Sequence, residues 1–236
     1  MTPFTPPPDY ARVKKVHSFS ELVTARFEGG INALCWPRRL PGDFGDVVAQ
    51  LGSGEGITPL EDSRLLGLSL SAAGKVAVEI LLEDQRLLRE HGLAPSLDCI
   101  YGYPPDEMPE IISTDVFSFH ADSAMMEADT YLCTYHGPTS EGLRNEEARR
   151  HIDIPETRAE LLHRFGGKDD DEFLGYLEEN CFDLHYAPAP QAVPFSFGIG
   201  NLWRIAVDYP CSPVPPCIHR APRTLAGETP RLLLIS

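Results

Sequence analysis

Ser113 to Glu141 reads STDVFSFHADSAMMEADTYLCTYHGPTSE. Val116, Ser118 and His120 alternate with Phe117 and Phe119, the period of two expected of a half-buried strand. Thr130 to His136 repeats the pattern, with Tyr131, Cys133 and Tyr135 on one face. The stretch therefore reads as two strands with His120-Ala121-Asp122 at the turn between them. Residues i and i+2 of an extended segment point to the same side. His120 and Asp122 can thus face one metal ion.

Around this stretch the chain has 236 residues, 42% of them hydrophobic, enough for one domain spanning 1–236 with a sizeable core. Lys and Arg number 20 against 35 Asp and Glu, a net charge of -15. Such a surface repels phosphate backbones, so nucleic acid is not an expected partner. No apolar run reaches the roughly 18 residues of a bilayer span, so no membrane partner is expected either. The N-terminus carries no apolar signal core, and a cytoplasmic location is expected. The six cysteines form no Cys-x-x-Cys and read as reduced, mostly core residues. Cys211 and Cys217 flank a proline run beside His219, a spacing that fits no common zinc finger or ribbon but leaves a second metal open. The 22 prolines cluster at 3–8, 104–109, 188–194 and 210–216, marking loops between short strands and a loose arm at the start.

Residues 1–95 read as a helical layer with the first strand. Ser18 to Phe27, Phe44 to Leu51 and Ser71 to His91 are amphipathic helices, and Ile31 to Trp36 is a strand stopped by Pro37. On the long helix, Ala77, Ile80, Leu81, Leu87 and Leu88 face inward. Glu83, Asp84, Arg86 and Arg89 are expected on its solvated face. Residues 96–236 read as strands: Leu97–Tyr103, Thr114–Phe119, Thr130–His136, Val193–Phe197, Leu202–Val207 and Arg231–Ile235. Helical patterns around Leu161 and Phe173 interrupt them and define a helical insertion or lid at 142–190. Helices do not alternate with strands, which disfavours a doubly wound parallel sheet. The expected class is mainly β: a double-stranded β-helix (jelly-roll, cupin-like) core with N-terminal helices and a helical insertion.

A second histidine from a distant strand would complete a 2-His-1-carboxylate facial triad, the donor set of non-haem Fe(II) centres with open coordination positions. His219, after the turn Pro210–Pro216, is the expected third ligand. The pattern alone is not specific, since His151-Ile152-Asp153 repeats the spacing in a polar helical context before Pro155.

The C-terminal Ile218-His219-Arg220-Ala221-Pro222, followed by Thr229-Pro230-Arg231-Leu232-Leu233-Leu234-Ile235, resembles the closing segment of Fe(II)/2-oxoglutarate-dependent dioxygenases. The blocks FHADSAMMEADTYLCTYHGPTSE and IHRAP…PRLLLIS, with Ala33-Leu34-Cys35-Trp36-Pro37-Arg38, also resemble the bacterial family DUF1826. These blocks are spread across most of the length of the chain. The DUF1826 resemblance carries no activity, so the chemistry comes from the wider superfamily. That superfamily implies Fe(II) held by His120, Asp122 and His219, with 2-oxoglutarate as cosubstrate. Arg231 would grip its distal carboxylate through a planar guanidinium, as against the alternative of a strand-edge salt bridge. Tyr135 would hydrogen-bond the same carboxylate, as against a core tyrosine. The implied reaction is oxidation, by default hydroxylation, of a small molecule or amino acid with dioxygen.

Trp203, Arg204, Met125 and Met126 are candidates for the pocket wall. His136 is a candidate acid–base group or a turn residue. Two other readings stand beside the oxygenase. One is a cupin-like metal protein that does not use 2-oxoglutarate, the other a non-enzymatic metal-handling or interaction protein.

Overall fold

The computed structural model describes residues 8–103, 111–223 and 227–236. The proline cluster at 104–109, and all but Pro8 of the one at 3–8, lie outside them. The N-terminal elements are β1 (Val13–Lys15), α1 (Phe19–Thr24), β2 (Ala33–Trp36), α2 (Phe44–Leu51), β3 (Ile57–Pro59), α3 (Asp62–Leu66) and α4 (Ala72–Glu90). Next come β4 (Ser96–Ile100), β5 (Asp129–His136), β6 (Glu141–Gly142), β7 (Ala148–Arg150), α5 (Pro155–Phe165), α6 (Asp171–Glu179) and β8 (Tyr186–Pro188). The chain closes with β9 (Phe195–Ser196), β10 (Leu202–Ala206), β11 (His219–Arg220) and β12 (Arg231–Ile235). No helix among the described residues is long and apolar enough to cross a membrane.

The architecture is a large sheet with helices on one face and a small sheet on the other. The large sheet runs β1-β2-β10-β5-β12-β4-β3. All its pairs are antiparallel except β1 with β2. The small sheet is β11-β6-β9, and β7 pairs with β8. No closed barrel is present among the described residues.

Alternation along the strands sorts residues between two cores. Leu97 and Cys99 of β4, Tyr131, Cys133 and Tyr135 of β5, and Leu232 and Leu234 of β12 pack against α2 and α4. Their neighbours Ile100, Leu132 and Leu233 face the small sheet with Trp203, Phe197 and Cys217. The helical layer is fixed by its own chemistry. Ser18 accepts from the Glu21 N–H, Asp43 from Asp46 and Ser71 from Gly74, each capping a helix start. Gly137, at φ 78°, ends β5 where an added Cβ would meet the Pro230 carbonyl oxygen at 2.6 Å. Only glycine lets the two chains pass so closely here.

Two local expectations are overturned. Residues 114–119 form no strand. The Asp115 carboxylate accepts from the Phe117 and Ser118 N–H groups and the Ser118 hydroxyl, folding the chain into a turn. Only His120 then enters a ladder. Asp84 is not solvated; it is 3% exposed. It pairs with Arg38 at 2.7 Å and accepts from the Tyr135 hydroxyl at 2.5 Å. Its spacing from Leu81 and Leu88 places it on the buried stripe of α4.

The helices α5 and α6 fall within 142–190 and have their own apolar core, with Leu161, Phe173, Leu177 and Phe182 packed on Ile112 and Ile152. Residues 184–186 then return to pair with the segment that carries His120.

Candidate metal centre

His120 sits between two hydrogen-bonding neighbours. On one edge it exchanges main-chain hydrogen bonds with His219 in β11. On the other, the Tyr186 N–H donates to the Phe119 carbonyl and the Ala121 N–H to that of Leu184. Asp122 is held in the same way, since the Asp208 N–H donates to its carbonyl at 2.7 Å. The backbone thus brings two distant segments together, and their side chains converge. His120, Asp122 and His219 each offer a donor atom within 4.8 Å of the others, the one such group of three among the described residues.

The donors are oriented by secondary contacts. His120 Nδ1 lies 2.8 Å from the Ser118 carbonyl and His219 Nδ1 lies 3.3 Å from that of Cys217. A carbonyl can only accept, so each Nδ1 carries a proton, and in the neutral ring the lone pair is then on Nε2. The Nε2 atoms stand 3.9 and 3.8 Å from Asp122 Oδ1, beyond hydrogen-bond reach. The other carboxylate oxygen accepts from the Thr130 hydroxyl at 2.5 Å. Burial, and then the neighbouring His219, lower the His120 pKa, which favours the neutral, ligating imidazole. Two imidazoles, one carboxylate and fixed outer hydrogen bonds suit a divalent transition-metal ion.

A cavity of about 270 Å³ adjoins the three residues. Arg231 lines it and is only 1% exposed. Its Nη2 donates to Ser140 Oγ at 2.6 Å and Thr134 Oγ1 at 3.2 Å, and its Nη1 to the Tyr103 hydroxyl at 3.3 Å. Nε has no partner. No carboxylate pairs with this guanidinium among the described residues, and burial lowers its pKa. A buried guanidinium that lines a cavity and meets no carboxylate among the described residues can accept an anionic ligand.

Tyr135 does not join Arg231. It lies on the helix-facing side of β5, stacked on Phe44 with ring centroids 5.3 Å apart. Its hydroxyl is committed to Asp84, and burial followed by the Asp84 charge pushes its pKa well up. The register of β5 against β12 shifts between Leu232, opposite His136, and Leu233, opposite Thr134. Thr134 therefore takes the place beside Arg231.

The other wall candidates also lie elsewhere. Arg204 pairs with Asp129 at 2.6 Å and donates to the Leu22, Val23 and Ala25 carbonyls at the end of α1. Trp203 is buried against Phe197, centroids 4.4 Å apart. Met125 and Met126 are 92% and 74% exposed. His136 ends β5 next to Gly45 of α2. Among the described residues His151 and Asp153 form no metal-binding group, and all six cysteines are free thiols, Cys211 exposed and Cys217 buried. Sequence reading missed Thr130, Thr134, Ser140 and Tyr103. The period of two in β5 was the available signal, since Thr130, Leu132 and Thr134 share the face opposite Tyr135.

Among protein-family models, curated proteins and solved structures, none matches this chain.

Proposed function

We propose that the protein is a non-haem Fe(II)- and 2-oxoglutarate-dependent oxygenase acting on a small molecule. The observation that carries this reading is one cavity bordered both by the His120–Asp122–His219 donor set and by the Arg231 guanidinium, which pairs with no carboxylate among the described residues. In this reading the two facing sheets are the halves of a double-stranded β-helix. His120, Asp122 and His219 hold the metal, and Thr130 fixes the carboxylate. Arg231, with Ser140 and Thr134, orients the distal carboxylate of the cosubstrate. When bound, Fe(II) with 2-oxoglutarate supplies oxidation by dioxygen, ordinarily hydroxylation of a C–H bond. The chain itself binds and orients. Apolar Leu132, Leu233 and Ile57 line the cavity and limit water around the reacting groups.

The test is anaerobic addition of Fe(II) and then 2-oxoglutarate to the purified protein. A visible charge-transfer band that needs both additions, and that Arg231→Ala abolishes, is the expected result. Iron binding with no response to 2-oxoglutarate would move the protein to the metal-binding alternatives.

A further inference from the structure

The same cavity holds a second buried charge, of opposite sign. Asp98 lies on β4, whose Leu97 and Cys99 pack into the helical layer, so its own side chain faces the cavity. It is 8% exposed. The Ser96 hydroxyl donates to Oδ1 at 2.8 Å, and Oδ2 has no partner among the described residues. The flanking positions across the sheet are Leu233 of β12 and Pro59 of β3. Leu233 has no polar side chain, and Pro59 has neither a polar side chain nor an N–H. No Lys, Arg or His pairs with Asp98 among the described residues, and residues 1–7, 104–110 and 224–226 contain none. A carboxylate this deeply buried, without a cation, is costly unless a ligand supplies the charge.

We propose that Asp98 is the specificity residue of this cavity and binds a primary ammonium or guanidinium group of the substrate. The inference rests on the oxygenase reading for the word substrate and deepens it to a class: a small cationic molecule whose apolar stem lies along Leu233 and Ile57. Arg231 and Asp98 divide the cavity's chemistry. One takes the anionic cosubstrate, the other the cationic substrate, so neither charge competes for the other's ligand. Burial raises the Asp98 carboxyl pKa, as expected where the balancing cation is supplied from outside. The net charge of -15 also favours approach of cations over anions.

Isothermal titration of the full chain in the presence of Zn(II), with n-butylammonium, n-butylguanidinium and n-butanol as probes, tests this. The expected result is saturable binding of at least one cation, no comparable binding of the neutral alcohol, and roughly tenfold or greater weakening in Asp98→Asn. Equal binding of alcohol and cations to the unaltered protein would overturn the inference without any variant. So would unchanged cation binding in a folded Asp98→Asn protein. The Fe(II)-plus-2-oxoglutarate band, read on the same preparations, separates the two readings. A band with no cation binding overturns the Asp98 inference alone. Asp98-dependent cation binding without a band supports it as a cation site and removes the oxygenase assignment.

Discussion

His120 and His219 each donate a main-chain N–H to the other's carbonyl, both at 2.9 Å. Opposed residues of an antiparallel pair project to the same face, so this exchange sets both imidazoles on one side before any ligand is present. Their ring centroids lie 4.6 Å apart. The donor set is thus a property of the backbone ladder, with Asp122 two residues along the same segment.

Metal affinity should depend on each donor and, to a lesser degree, on the group that orients Asp122. His120→Ala, Asp122→Ala and His219→Ala should each weaken Fe(II) or Zn(II) by more than the 10–100-fold typical of losing an outer hydrogen bond. Thr130→Val should fall within roughly that 10–100-fold range, and Thr130→Ser should restore binding. Competition with a metal indicator reads all five. A metal at about 100 times its Kd stabilises a fold by about 2.7 kcal/mol. A chelator should therefore lower the Tm of the loaded protein and leave the three donor variants unmoved.

Arg231 should matter for the ligand and not for the fold. Arg231→Met should abolish 2-oxoglutarate binding and change metal-free stability by no more than about 1 kcal/mol, because Arg231 is held by hydroxyl groups and no carboxylate among the described residues pairs with it. Denaturant unfolding checks the second half. A loss of about 3–5 kcal/mol would identify a structural ion pair instead.

Tyr135 and Asp84 should show the reverse. Tyr135→Phe removes a hydrogen bond to a buried carboxylate and should cost about 1.5–3 kcal/mol. Asp84→Ala strands Arg38 and should cost about 3–5 kcal/mol. Neither change should alter metal or 2-oxoglutarate affinity, since both residues lie on the helix side of the sheet.

Asp183 should give a pH-dependent stability difference. Its Oδ1 is buried without a partner, and burial, then the charges of Glu178 and Asp208, raise its pKa. A carboxyl raised in the folded state favours folding when protonated, and that advantage is lost as pH rises through the unfolded and then the folded pKa. Asp183→Asn should therefore stabilise the protein at pH 7. The gain over wild type should vanish below the ordinary carboxylate range, as read from paired urea titrations.

The sequence carried the parts of this fold that have a strong period. Phe44–Leu51 and Arg231–Ile235 match α2 and β12 to the residue, because an unbroken apolar pattern ran between clear stops. Residues 114–119 misled because their alternation is real, while the Asp115 side chain competes for the N–H groups a strand would need. The donor set was legible because i, i+2 spacing needs only an extended backbone. Tyr135 was not, because its face depends on which side of β5 the helices cover. Asp98 stood in view as the one charge in the apolar run Leu97–Tyr103. Its meaning required knowing that Leu233 and Pro59 flank it.

The segment 119–121 is paired on both edges, by 184–186 on one side and His219 on the other. A ligand-bearing strand with no open edge offers no template for pairing with another chain. It also dates the site within synthesis. Neither flank exists until the chain has been made past α6, and one flank arrives only with β11. His120 and Asp122 are made about half-way along the chain and stay unaligned until these long-range contacts form. On the proposed reading, metal capture belongs to the nearly completed polypeptide, and a chain ending before His219 would carry two donors without the His219 ladder that aims them.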